Sequence, residues 1–312
     1  MKILDAEATR RALPFPALID ALREMFVSGC EVPLRHNHTI ADAQGAAAGT
    51  LLLMPAWRAG ERLGIKTVAV FAGNAALGKP ALHASYLLLD ARTGEPLALI
   101  DGDQITARRT VAASALAASF LARADASRLL IVGAGRVAAL LAQAHSVLRP
   151  IRHIEVWARR AEAAQQLAQS LRQQGLKAQA VTELAAAVRR ADIVSCATLA
   201  TEPLVKGLWL QAGAHLDLIG SFTPQMREAD AACFARARLF TDTTEAMSKS
   251  GDVLQAIAEG AITADALQGT LGGLCTLAVP GRGGAEQITL FKSVGTALED
   301  LAAAELVYNT VG

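Results

Sequence analysis

The turn Gly133-Ala134-Gly135-Arg136-Val137-Ala138 has the residue types with which a chain can hold a pyrophosphate. It follows the apolar run Leu129-Leu130-Ile131-Val132 and opens a helical segment, Arg136 to Leu148. In that setting Gly133 permits a tight turn, Gly135 lets the backbone approach the phosphates, and small Ala138 lets the helix pack close to the strand. The N–H groups at the helix start then face the phosphates. A dinucleotide is the expected ligand, and the next strand decides its type. NAD-specific sites usually place an acid at the end of that strand, about 20 residues on, to hold the ribose 2′-hydroxyl. Here the strand ends Glu155-Val156-Trp157-Ala158-Arg159-Arg160. Glu155 comes too early, whereas Arg159 or Arg160 can pair with a 2′-phosphate. The plainer alternative is that both arginines only cap a helix start on a solvated surface. NADP(H) is the expected cofactor, with NAD(H) possible.

Three cations stand out earlier in the chain: Arg35 in Pro33-Leu34-Arg35-His36, Lys66 inside the apolar run Leu63 to Val70, and Arg109 in Ile105 to Thr110. A lysine in an apolar run either snorkels from a two-sided strand or is held where its pKa can fall and its ammonium can serve chemistry. Composition alone leaves both readings open. The grouping His215, Asp217 and Ser221 lacks a nucleophile elbow and does not read as a hydrolase triad; Asp217 reads as a structural strand residue. His36, His38, His83, His145 and His153 show no metal-ligand spacing with neighbouring acids, so no metal is expected. Cys30, Cys196, Cys233 and Cys275 are scattered without a CxxC and read as packing thiols.

Positioning these residues requires two different architectures. From Ser127 onward strands and helices alternate: Ser127 to Val132, His153 to Ala158, Ala178 to Val181, Asp192 to Cys196, His215 to Gly220 and Arg238 to Asp242 are strand-like. Between them Ala161 to Gln174 has helical apolar spacing with Gly175 as C-cap, and Thr182 is the expected N-cap of the next helix. This alternation predicts an α/β fold, a Rossmann doubly wound parallel sheet. The first ~110 residues read instead as strands joined by short turns, the pattern of an α+β domain. Leu51 to Leu53, Gly64 to Phe71, Ser85 to Leu89 and Pro96 to Ile100 are its expected strands. Leu290 to Tyr308 reads as one long amphipathic helix.

With 312 residues, 52% of them hydrophobic, the chain can bury two cores. A net charge of +1 and the lack of a basic stripe with interleaved aromatics give no reason to expect nucleic acid. The longest nearly uncharged stretch, Val111 to Ala122, is shorter than the roughly 20 residues that span a bilayer. Acids at Asp5 and Glu7 stand where a signal peptide needs an apolar run, so a cytoplasmic location is expected.

Several phrases are long enough to be specific: Leu87-Leu88-Leu89-Asp90, Thr93 to Gly102, Thr106 to Ser114, Thr198 to Pro203, Ser250-Gly251-Asp252-Val253, Phe291 to Gly295 and Glu299 to Ala304. Through them nearly the whole chain resembles the ornithine cyclodeaminase/μ-crystallin family. The resemblance implies a homodimer, with residues 1–112 and 289–312 forming a substrate-binding and dimerisation domain and residues 113–288 the dinucleotide-binding domain. Arg35, Lys66 and Arg109 match positions that hold the substrate carboxylate and work on the imine or amine. Ser85 and Thr110 match polar positions near the nicotinamide and phosphates, Thr198 a further cofactor position, and Met54 and Phe222 are expected at the substrate pocket. Members include ornithine cyclodeaminase, an alanine dehydrogenase, and ketimine reductases acting on cyclic imino acids.

One departure bears on the choice among these. The cyclodeaminases carry an acid shortly after the strand ending in Gly220, two positions before a proline; in Ser221-Phe222-Thr223-Pro224 that position is Phe222. The expectation is therefore an NAD(P)H-dependent reductase of a small cyclic imino acid, of the Δ1-pyrroline-2-carboxylate or Δ1-piperideine-2-carboxylate type. The alternatives are an ornithine cyclodeaminase and a non-catalytic NADPH-binding protein of the μ-crystallin type.

Overall fold

The computed structural model describes residues 1–311, which fall into two compact units: Met1–Arg109 with the segment from Thr296 on, and Thr110–Gly295. The first unit begins β1 (Lys2–Leu4), α1 (Ala6–Ala12), α2 (Phe15–Ser28), β2 (His36–Ala41), β3 (Ala47–Arg58), β4 (Arg62–Val70), β5 (Leu82–Asp90) and β6 (Pro96–Asp101). Helix α3 (Gly102–Leu121) carries the chain across the boundary. The second unit holds β7 (Arg128–Val132), α4 (Ala138–Leu148), β8 (His153–Trp157), α5 (Ala161–Gln173), β9 (Ala178–Ala180), α6 (Leu184–Arg190), β10 (Ile193–Cys196) and β11 (His215–Leu218). It continues through α7 (Ala231–Arg236), β12 (Arg238–Thr241), α8 (Ala246–Lys249), α9 (Gly251–Ala258), β13 (Leu267–Thr270), α10 (Leu271–Cys275) and β14 (Thr289–Lys292). Helix α11 (Ala297–Thr310) belongs to the first unit.

In the first unit six strands form one sheet in the order β1-β6-β5-β4-β3-β2, antiparallel except for β1 beside β6. The four expected strands lie at β3 to β6. Alternation along β3, β4 and β5 turns Met54, Lys66, Tyr86 and Leu88 inward, and α11 packs against β3, β4 and β5. Met54 and Tyr86 both stand opposite Lys66 across the ladder. The lysine at the centre of this face is therefore buried by its sheet and by α11.

The second unit is the predicted doubly wound sheet, eight parallel strands in the order β13-β12-β14-β11-β10-β7-β8-β9. Residues 129–132 and all of β10, β11 and β14 are buried, as expected of parallel strands covered on both faces. After β7 the chain moves outward to β8 and β9, then returns to place β10 on the other side of β7. That reversal makes the carboxyl ends of β7 and β10 a topological switch point, where open α/β sheets bind ligands.

Two expectations are corrected. The segment Leu290 to Tyr308 is not one helix: β14 lies between β11 and β12, and α11 starts only at Ala297. Asp242 turns the chain between them, its Oδ2 accepting from Ser293 Oγ and from the Val294 and Gly295 N–H groups. Thr296 then caps α11 by accepting from the Leu298 N–H. The chain passes from one compact unit to the other at 109/110 and again at 295/296. Similarly, Glu183 and not Thr182 precedes α6, and it makes no side-chain cap; the Thr182 carbonyl accepts from Trp157 Nε1 instead. Among the described residues no helix is long and apolar enough to cross a membrane.

Candidate active site

A cleft of about 410 Å³ opens at the carboxyl ends of β7, β8 and β10, lined by Gly133, Ala134, Gly135, Ala158, Arg159, Arg160 and Thr198 among others. Gly133 has φ +123°, and a Cβ there would stand 2.6 Å from the Ala197 carbonyl oxygen. No larger residue fits that turn against the β10 loop. A Cβ on Gly135 would meet nothing within 4 Å, so the backbone there faces open cleft. Ala138 is fully buried at the start of α4, while Arg136 is exposed and Val137 half-buried ahead of it. These features fit a dinucleotide: a glycine turn, a helix start with orphan N–H groups, and an open approach to both. Arg159 and Arg160 are exposed at the end of β8. Glu155 does not compete for the ribose, because Arg190 and Gln179 hold its carboxylate elsewhere.

Behind the loops at this edge lies a buried polar network. Glu228 accepts from the Thr198 N–H and hydroxyl and from the Gly220 N–H. Asp252 accepts from Ser221 Oγ at 2.5 Å and stands 3.3 Å from Lys292 Nζ, all of them buried. Asp217 is engaged deeper in the sheet, where Ser114 Oγ and Ser195 Oγ both donate to its Oδ2. His215 pairs with Thr289 and not with Asp217, so no hydrolase triad forms. Phe222, two residues beyond Gly220, is 42% exposed.

The first unit assembles the three cations. Lys66 Nζ stands 2.7 Å from Asp300 Oδ2, with 2% and 0% of the two side chains exposed. Arg109 bridges two acids of α11, with Nη1 at 2.7 Å from Glu299 Oε2 and Nε at 2.9 Å from Asp300 Oδ1. Burial lowers Lys66 to about 8; Asp300 opposes this, whereas Arg109 and Arg35 add to it. Arg35, half-buried in the segment before β2, is thus within electrostatic range of Lys66. Burial alone would raise the Asp300 carboxyl, but Lys66 and Arg109 outweigh it and hold the group below its ordinary range.

The family model for ornithine cyclodeaminase/mu-crystallin proteins matches residues 3–312. The chain belongs to that family. It is 43% identical over 284 residues to Δ1-pyrroline-2-carboxylate reductase of Paracoccus denitrificans, covering 88% of this chain and 89% of the relative. The same reductase from Thermococcus litoralis, solved in complex with NADH and L-proline, superposes with a TM-score of 0.92 at 32% identity, over 100% of this chain and 97% of that one. An archaeal alanine dehydrogenase dimer with bound NAD also gives 0.92, at 28% identity over 100% and 96% of the two chains.

For this family member the structure sorts the sequence-predicted residues into two groups. Gly133, Ala134, Gly135, Arg159, Arg160 and Thr198 share the cleft, with Ala138 packed behind it. Lys66, Arg109 and Met54 share the inner face of the first unit. Ser85 is exposed on β5, opposite Thr67 and Asp101, and Thr110 is buried in α3 directly after Arg109. Sequence reasoning passed over Glu299, Asp300, Asp252 and Lys292 as site residues. Lys292 ends the apolar run Ile288 to Phe291, the same kind of signal that singled out Lys66.

Proposed function

We propose that the protein is an NAD(P)H-dependent reductase of a small cyclic imino acid, of the Δ1-pyrroline-2-carboxylate type. The cation cluster carries this reading: Lys66 and Arg109 are held side by side on Asp300, within electrostatic range of Arg35, and gather positive charge where a carboxylate can be held. The likeness to the Paracoccus and Thermococcus reductases supports it. The dinucleotide supplies hydride to the C=N carbon. Arg35 and Arg109 hold the carboxylate and so orient that carbon. Lys66, a cation at neutral pH with its pKa lowered to about 8 by burial, delivers a proton to the ring nitrogen directly or through water. Met54 and Phe222 contribute apolar surface to the ring methylenes.

A preference for NADP(H) over NAD(H) is supported by Arg159 and Arg160 at the end of β8 and by the engagement of Glu155 elsewhere. Ser85 and Thr110 are assigned polar roles toward the nicotinamide and phosphates through the family match. A cytoplasmic homodimer is the assembly we infer, in line with the dimeric alanine dehydrogenase.

One spectrophotometric panel tests the reading: Δ1-pyrroline-2-carboxylate and Δ1-piperideine-2-carboxylate with NADPH or NADH, ornithine with NAD, and alanine with NAD. Net oxidation of reduced cofactor by a cyclic imine is expected. Proline and ammonia from ornithine would establish a cyclodeaminase instead. Dinucleotide binding without turnover of any substrate would establish a binding protein.

A further inference from the structure

The Glu228 side chain is fully buried, yet it neither lines the dinucleotide cleft nor belongs to the three-cation cluster. Its two oxygens face two different loops. Oε1 accepts from the Thr198 N–H at 2.7 Å and from the Thr198 hydroxyl at 2.8 Å, in the loop after β10. Oε2 accepts from the Gly220 N–H at 2.8 Å and the Ser221 N–H at 3.2 Å, in the loop after β11. The residue carrying this carboxylate is itself fixed. The Glu228 N–H donates to Asp252 Oδ1 at 2.7 Å, and the Glu228 carbonyl accepts from the Leu204 and Val205 N–H groups. The two loops approach so closely that a Cβ on Gly220 would stand 2.2 Å from the Thr198 carbonyl oxygen and 2.4 Å from Glu228 Oε1.

Four donors converge on two oxygens, a pattern that only an ionised carboxylate matches in full. A glutamine would turn an NH₂ toward one loop, and a protonated acid would lose acceptor capacity on one oxygen. Burying that charge is costly, and backbone pairing alone could have joined two adjacent loops without it. The loops it joins are not arbitrary. Thr198 lines the dinucleotide cleft, and Gly220 and Ser221 lead directly into Phe222.

We propose that Glu228 is a positioning residue that sets the spacing between the Thr198 loop on the cofactor side and the Gly220–Phe222 loop on the substrate side. The inference rests on the reading of this cleft as the dinucleotide site. Its chemistry also makes the spacing sensitive to pH. Burial raises the Glu228 carboxyl to about 7; Lys292 on β14 and the Thr198 donors oppose this, and Asp252 on α9 adds to it. Cys196 on β10 also faces the group, as a thiol that burial keeps neutral. Protonation near neutrality therefore releases one loop from its anchor and loosens the cleft edge.

The test compares wild type with Glu228→Gln in three measurements: NADPH and NADH dissociation constants by fluorescence between pH 6 and 8, steady-state kinetics, and amide exchange of the free protein. At pH 8 the variant should bind dinucleotide about tenfold more weakly, as loss of a charge-assisted contact implies. Its kcat at saturating cofactor should fall less than its cofactor KM rises. Wild-type affinity should weaken as pH falls from 8 to 6, whereas the variant should show no such dependence. In the free variant the Thr198, Gly220 and Ser221 amides should exchange faster, with the central strands still protected. Wild-type affinity, pH profile and exchange in Glu228→Gln would overturn the proposal. If wild type binds no dinucleotide, the functional reading fails, and unchanged amide exchange in the variant still refutes the tether. Should Glu228→Gln not fold, Thr198→Val removes a single donor. It should weaken binding about threefold, and unchanged binding there would equally count against the tether.

Discussion

Asp300 holds two cations at once: its Oδ2 stands 2.7 Å from Lys66 Nζ and its Oδ1 2.9 Å from Arg109 Nε. Replacing it by asparagine removes the anion that stabilises the charged lysine, so the Lys66 pKa must fall below its wild-type value of about 8. A reductase that needs the ammonium as its acid loses activity above that pKa. The alkaline limb of kcat/KM should therefore move to lower pH in Asp300→Asn, by about one unit or more. Breaking a buried pair also costs about 3–5 kcal/mol of stability. A pH–rate profile together with a urea titration checks both effects, and an unmoved alkaline limb would show that Lys66 is not the acid.

Arg109 and Arg35 should separate in their effects. Arg109→Ala removes the cation on Glu299 Oε2 and one of the two cations on Asp300, both buried, and about 3–5 kcal/mol of stability should be lost. Arg35 is half-buried, so its removal probes the substrate more cleanly. Arg35→Ala should raise the imino-acid KM by a factor worth about 2 kcal/mol, at the low end for a desolvated charge contact, while NADPH binding stays intact. Unchanged kinetics would place the carboxylate elsewhere.

Cofactor choice should follow the end of β8. Ala158 lines the cleft beside Arg159 and Arg160. An aspartate there repels a 2′-phosphate and can accept from a ribose 2′-hydroxyl. Ala158→Asp should weaken NADPH and improve NADH relative to it, as read by the ratio of kcat/KM values. Tighter binding of NADH than NADPH by wild type would show that the two arginines only cover a solvated helix start.

Acid should destabilise the protein through its buried histidines. Burial lowers His145 to about 4, with Arg149 adding to it, and lowers His215 well below its ordinary value. For both, the unfolded chain protonates first, so stability is present above pH 6.5 and lost as pH falls through the unfolded value toward the folded one. Asp217 has the opposite sign. Burial raises it to about 6 against its Ser114 and Ser195 donors, so its contribution is present below its ordinary 3.8 and lost as pH rises through 6. Between pH 7 and pH 5 the His145 and His215 losses are therefore opposed by Asp217 and by Glu228, which burial raises to about 7. Asp217→Asn removes one part of that compensation, so its urea midpoint should fall further, or rise less, from pH 7 to pH 5 than that of wild type; an unchanged difference would rule out titration of Asp217.

The nucleotide unit was legible because its signals are local. A four-residue apolar strand, a glycine turn and a helix start occupy one stretch from Leu129 to Leu148, and the structure places them where that pattern requires. The end of the chain reads as one helix because Leu298, Leu301, Ala302 and Leu306 share a helical face, whereas Leu290, in the same stretch, belongs to a strand. Gly295 followed by Thr296-Ala297-Leu298-Glu299 carried the corrective signal, a helix N-terminus of the S/T-x-x-E kind. Asp300 and Glu228 were not legible as site residues. Each acts through partners distant in sequence, Lys66 in one case and the Thr198 and Gly220 loops in the other, and only the fold brings these together.

Phe222 supplies the sharpest discrimination between reductase and cyclodeaminase. Ring closure of ornithine requires a free δ-amine lone pair, hence a base near that nitrogen, and benefits from a carboxylate that orients the amine. Phenylalanine offers neither, and at the substrate pocket we propose it makes that end apolar. Another acid could substitute only by swinging in, and the two nearest in sequence are already engaged. Asp217 is buried and accepts from Ser114 and Ser195, and Glu228 is buried and accepts from Thr198, Gly220 and Ser221. Freeing either would break several hydrogen bonds to a charge, each worth about 1.5–3 kcal/mol. A preformed cyclic imine needs no such base, and its methylenes can pack on the aromatic ring. Wild type should therefore reduce the cyclic imine and release little or no ammonia from ornithine in the presence of NAD. Phe222 is 42% exposed, so an aspartate at that position meets no burial penalty and the fold should tolerate it. Ammonia release that appears in Phe222→Asp, together with weakened imine reduction, is the expected result. Wild-type ornithine turnover comparable to imine reduction would refute the argument outright.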